Sequence, residues 1–95
     1  MASVGVLTLE LRLEHAHSLK DKRQVVRALK DRLRGNFNVS VAEIDYQDLW
    51  QRAAIAVVTV SADHERANEV LRLVEEAAAG LLGPDLAGAT VEWLA

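Results

Sequence analysis

The chain has 95 residues, 51% of them hydrophobic, with a formal net charge of −3 and no cysteine. That length supports one domain with one core, and the apolar share is too high for a disordered chain. The missing cysteines exclude disulfides, thiolate metal sites and thiol nucleophiles and suit a reducing, cytoplasmic setting, while no run approaches the roughly 20 apolar residues of a membrane span.

Val4 to Leu13 alternates, with Leu7, Leu9, Leu11 and Leu13 on one side and Thr8, Glu10 and Arg12 on the other. A period of two in residues this apolar predicts a half-buried strand, and its early start leaves no room for a signal peptide. Glu14 to His17 breaks the alternation. Ser18 followed by Asp21 is an acidic variant of the capping box, and the helix it opens should run to Arg34, with Gly35 as the left-handed residue beyond its end. Phe37 to Asp45 alternates again, placing Phe37, Val39 and Val41 on one face. Tyr46 to Leu49 is a short polar connection, so the next strand, Trp50 to Ser61, runs antiparallel to the one before it. Asp63 caps a second helix reaching about Leu82, with Ala67, Val70, Leu71, Val74, Ala78 and Leu81 on its apolar side. Gly83-Pro84 ends that helix, and Ala89 to Leu94 forms a fourth strand.

Two strand–helix–strand halves with right-handed crossovers define an α+β, ferredoxin-like βαββαβ sandwich. Residues 1–95 then form a single domain whose four-stranded antiparallel sheet carries both helices on one face. The other face is uncovered, with Val4 and Val6 at one end and Glu10 and Arg12 at the other. A partly apolar open face in a small domain meets a partner, and a homodimer through it is the expected assembly.

The charge is strongly segregated. Residues 18–34 hold seven of the eleven basic side chains against two acids, a local +5 that leaves −8 for the remainder. On a wheel at about 100° per residue, Leu19, Val25, Val26, Leu29 and Leu33 share an apolar arc, and Lys20, Arg23, Arg27, Lys30 and Arg34 share a sector about 80° wide beside it. Like charges three and four residues apart destabilise a helix by a few tenths of a kcal/mol per pair, so a stripe without interleaved acids suggests a polyanionic partner. The plain alternative is a solvated face, or one neutralised by acids elsewhere on the chain or on a dimer mate. Lys22 falls inside the apolar arc; it either snorkels past the core edge or meets a carboxylate, Glu43 or Asp48.

Other chemistries are poorly provided for. His15 and His17 alternate beside Glu14 but have no evident further ligand, and the acids Glu43, Asp45 and Asp48 lie near a hairpin; no metal or cofactor is expected from either. Ser40 has no histidine at a spacing that suggests a dyad, and Gly80 and Gly83 sit at a helix end without a phosphate-loop pattern. The third strand lacks the aromatic residues with which an RNA-recognition motif stacks bases, and the glycine-rich anion loop of acylphosphatases is missing after the first. Tyr46 and Trp50 are read as hairpin or core packing, with base stacking as the functional alternative.

Three stretches, Ser18-Leu19-Lys20-Asp21-Lys22-Arg23, Phe37-Asn38-Val39-Ser40-Val41-Ala42-Glu43 and Asp48-Leu49-Trp50-Gln51-Arg52-Ala53, resemble the YlxP-like family, a bacterial domain of unknown function. The resemblance implies a ferredoxin-like fold and a bacterial cytoplasmic protein, often encoded beside translation factors and a ribosome-maturation factor. It implies no catalytic residues. Lys22, Glu43, Asp48 and Arg52, polar at these places, form a candidate charge network or recognition site.

The expectation is therefore a non-enzymatic binding protein that contacts ribosomal or precursor RNA through Lys20, Arg23, Arg27, Lys30 and Arg34. The alternative is a dimeric interaction or regulatory module whose basic stripe meets an acidic protein.

Overall fold

Alternation in the first ten residues becomes strand β1 (Ser3–Arg12), with Leu7, Leu9 and Leu11 facing the core, in a computed structural model that describes all 95 residues. Helix α1 (Leu19–Asn36), strands β2 (Ser40–Asp45) and β3 (Arg52–Ser61), helix α2 (His64–Leu82), a 3-10 turn at Gly83–Asp85 and strand β4 (Leu86–Trp93) follow. The sheet order is β2-β3-β1-β4 and every neighbouring pair is antiparallel. This is the ferredoxin-like arrangement.

The core lies between the sheet and the two helices. Leu7, Leu9 and Leu11 of β1 and Ala53, Ile55 and Val57 of β3 meet Val26, Leu29 and Leu33 of α1 and Leu71, Val74 and Ala78 of α2. Packing places α1 mainly against β2 and α2 against β1 and β3. Thr59, the one buried hydroxyl in this layer, donates to the Asn38 carbonyl at 3.1 Å, which removes the cost of an unpaired polar group.

Both helix starts are capped by their own side chains. Ser18 Oγ accepts from the Asp21 N–H at 3.1 Å, and Asp21 Oδ2 accepts in return from His17 N–H at 3.0 Å, one residue earlier than the usual box. Asp63 Oδ1 accepts from Glu65 N–H at 3.1 Å. The helix ends differ from expectation. Gly35 stays inside α1, and the chain leaves through Phe37 in extended geometry, because that ring packs against the core and its N–H still reaches Leu33 O. Asn36 Nδ2 then satisfies the Arg32 carbonyl at 2.7 Å. The left-handed glycine belongs to α2, where Gly83 has φ 56°.

Three strand boundaries also move. Val39 N–H bonds back to Phe37 O at 3.0 Å, a tight turn that delays β2 to Ser40. Strand β3 starts at Arg52 and not at Trp50, although the Leu13 N–H to Gln51 carbonyl bond at 2.9 Å carries the β1–β3 register one residue further. Strand β4 starts at Leu86, earlier than Ala89. On α2, Leu82 is buried and Leu81 exposed, the reverse of the wheel's assignment to Leu81.

Candidate functional site

Helix α1 and strand β2 are joined by a three-residue turn and run antiparallel, so the end of α1 lies beside the start of β2. The basic residues fall along that seam. Arg23, Arg27, Lys30 and Arg34, with Val26, Asp31 and Glu43, line a cleft of about 350 Å³. At 1.5 Å per residue the stripe from Arg23 to Arg34 is roughly 16 Å long. Lys20 is exposed one turn before it and does not line the cleft. The protein's two ion pairs are Lys22–Glu43 and Arg72–Glu76, so no acid of this chain neutralises Lys20, Arg23, Arg27, Lys30 or Arg34 at contact distance. Arg34 has a partial engagement, donating through Nη2 to the Val41 carbonyl at 2.8 Å on an edge strand.

Lys22 is the anomaly of this helix and is only 1% exposed. Its ammonium donates to the carbonyls of Tyr46 (2.7 Å), Gln47 (3.2 Å) and Arg52 (3.3 Å). Glu43 Oε2 lies 2.9 Å from the same Nζ. That oxygen is buried, so the lysine ammonium is the one group that compensates its charge. A lysine inside an apolar arc is thus the fastening of the β2–β3 hairpin. Tyr46 contributes by adopting φ 63°, a left-handed conformation that costs on the order of 1–3 kcal/mol in a non-glycine residue, with Asp45 Oδ1 accepting its N–H at 2.8 Å.

The other side of the hairpin is tied as well. Gln51 Nε2 donates to the carbonyls of Glu14 (3.1 Å) and Ala16 (3.4 Å) in the β1–α1 loop. The Arg52 guanidinium sits 4.0 Å from the Tyr46 ring centroid. Of the residues grouped by sequence as a charge network, Lys22 and Glu43 meet as charges. Arg52 enters through its carbonyl while its guanidinium covers Tyr46, and Asp48 is exposed on the loop with no partner. Gln51 is not foreseen as a tie, because Gln47 in the same turn has the same side chain and only the fold brings Gln51 to the β1–α1 loop. Trp50 and Leu49, flanked by all these bonds, are themselves 51% and 48% exposed.

The hairpin acids diverge: Glu43 turns to Lys22, Asp45 to the Tyr46 backbone, and Asp48 to solvent. No three His, Asp or Glu side chains of the protein converge as a metal ion requires. His15 and His17 are exposed in the loop before α1.

The sheet face away from the helices is uncovered and partly apolar, with Thr8, Glu10, Thr90 and Glu92 among its residues. Val4 pairs with Val60, Val6 with Val58 and Thr8 with Ala56, placing four valines together at one end. Arg12 pairs with Arg52 at the other end.

Fold and site together define a small α+β domain with a basic helix beside an edge strand and an open valine face. The family described as "Protein of unknown function (DUF503)" matches residues 4–85, and the chain belongs to that family. Uncharacterized protein YlxP of Bacillus subtilis (strain 168) is 37% identical over 71 residues, covering 75% of this chain and 77% of that protein. Among solved structures, a de novo designed protein with a ferredoxin fold superposes with TM-score 0.58 at 15% identity, over 98% of this chain and 83% of the designed one. A dimeric ferredoxin-like protein of unknown function from Thermobifida fusca YX gives TM-score 0.52 at 18% identity, over 97% and 91%. At these identities the two structures show the fold alone. No helix is long and apolar enough to cross a membrane.

Proposed function

We propose that this protein is a non-enzymatic binding protein that holds RNA, in the cytoplasm on the ribosome or a ribosome precursor, through Lys20, Arg23, Arg27, Lys30 and Arg34. The observation that carries this reading is a helix face with five cations, none of them in an ion pair with an acid of its own chain. Such a face lowers helix stability unless a polyanion uses it, and phosphates at the α1–β2 seam would neutralise it. Counterion release sets the test. With four or five phosphate contacts, affinity for ribosomal subunits or purified RNA falls roughly fifty- to several-hundredfold between about 50 and 200 mM salt. The Arg23→Glu/Arg27→Glu variant, run beside the wild type, loses that binding. Tight binding that ignores salt, or equal affinity for an acidic protein, overturns the RNA reading and favours a protein partner.

A second reading concerns assembly, and the valine cluster favours it. Val60 is 55% exposed and faces away from the core beside Val4, Val6 and Val58. A second copy laid on this face would cover it, and a dimeric protein of the same fold exists among the structural neighbours. Sedimentation at rising concentration tests this; a monomer throughout sinks it.

A further inference from the structure

We propose that the RNA held by the basic helix is single stranded and that one of its bases stacks on Trp50. This rests on the RNA reading above and names the class of RNA. The indole is half exposed at the β2–β3 loop and touches no other aromatic ring or cation: the ring contacts of the protein are His64 with Trp93 and Arg52 with Tyr46. Tyr46, the other aromatic residue here, already has its ring taken by a guanidinium. Trp50 is the free platform.

The loop around it is held still. Lys22 bonds the carbonyls of Tyr46, Gln47 and Arg52, Gln51 bonds those of Glu14 and Ala16, and Leu49 N–H bonds Tyr46 O at 3.0 Å. A buried lysine and a strained tyrosine are a large structural outlay for a loop whose apolar tip stays in water. The arrangement makes sense for a surface that must be rigid before its ligand arrives, because ordering costs are then already met.

Position selects the ligand. Lys22 adjoins Arg23, so the loop stands at the end of the helix where the basic stripe begins, and the stripe leads away from it along β2 to Arg34. Asp48, Leu49, Trp50, Gln51 and Arg52 line a hollow of about 410 Å³ beside the indole. Cations that follow a backbone, together with an aromatic plane at one end, are the two parts of a single-strand site. In a duplex the base faces are already stacked, and the platform has nothing to receive. Asp48 repels phosphate and offers an acceptor to an exocyclic amine, which orients the base, and not the backbone, into the hollow.

The test is fluorescence anisotropy with one labelled RNA of about 12 nucleotides, single stranded and annealed to its complement, at about 50 mM salt. Wild type, Trp50→Ala, Trp50→Phe and Arg23→Glu/Arg27→Glu are compared. The single strand is expected to bind at least tenfold tighter than the duplex. Trp50→Ala weakens single-strand binding roughly ten- to a hundredfold, Trp50→Phe keeps most of it, and duplex affinity does not change. The exposed ring makes an intact circular-dichroism melt the control for folding. Single-strand binding unaffected in Trp50→Ala, or a duplex bound as tightly, overturns the stacking site. If the charge-reversed variant loses binding in that case, the RNA reading survives alone. If the wild type binds neither RNA, both fall.

Discussion

The Trp93 ring lies directly over the backbone of Gly5, its register partner in β4, so that a Cβ on Gly5 would sit 2.7 Å from Trp93 Cζ3 and 2.8 Å from Leu71 Cδ1. The indole also stacks obliquely on His64, 4.1 Å between centroids, at the start of α2. The missing side chain thus lets one aromatic residue join the sheet edge to the helix above it. Gly5→Ala is expected to cost about 1–3 kcal/mol by overpacking, lowering the melting temperature by roughly 4–8 °C per kcal/mol. Gly5→Ala/Trp93→Leu should lose less than the sum of the single changes, because the shorter side chain removes the clash with the indole and leaves only that with Leu71; additive losses in denaturant titrations would refute the contact.

Lys22→Met keeps the volume of the side chain and removes its charge. Three carbonyls then lack a donor, and Glu43 is left as a partly buried charge without its cation. Breaking a buried pair from one side costs about 3–5 kcal/mol. Adding Glu43→Leu should recover part of this loss and not all of it, since the carbonyls stay unpaired. A double variant as stable as the wild type would show that the hairpin bonds contribute little.

The two helix starts invite a graded comparison. Ser18→Ala and Asp63→Ala each remove the oxygen that accepts a first-turn N–H, at an expected cost of about 0.5–2 kcal/mol. Ser18→Gly should cost only a few tenths. Equal losses for alanine and glycine at position 18 would locate the effect outside the cap.

Val58→Glu places a charge in the middle of the valine cluster, opposite Val6, on the face away from the core. The change should leave the fold intact and abolish concentration-dependent association in sedimentation equilibrium. Association that persists at wild-type strength would assign the dimer contact to another surface.

Much of this structure is legible from periodicity, because β1 and α2 each show one face to a single environment. The leucines at alternate positions of β1 and the capping residues Ser18 and Asp63 carry that information locally. Gly35 misleads, while Lys22 meets Glu43, one of the two carboxylates offered for it, and its carbonyl partners are not foreseen; tertiary contacts decide both. Phe37 packing selects an extended exit where a glycine is available, and a hairpin more than twenty residues away supplies the carbonyls that make a lysine acceptable inside the core. The basic stripe is evident from the wheel. Its position beside β2 and the half-exposed Trp50 emerge only when strand order and hairpin path are known.

Strand β1 occupies the centre of the sheet, with Val4 paired to Val60 and Gly5 to Trp93. Contacts that span most of the chain are slow to form, so refolding should lag well behind that of a helical bundle of equal length. During synthesis at roughly 5–20 residues per second, several seconds separate the emergence of Gly5 from that of Trp93. Until β3 emerges both edges of β1 are open, and the edge that β4 covers stays open to the end of that interval, the condition under which nascent chains pair with the wrong strand or recruit a chaperone.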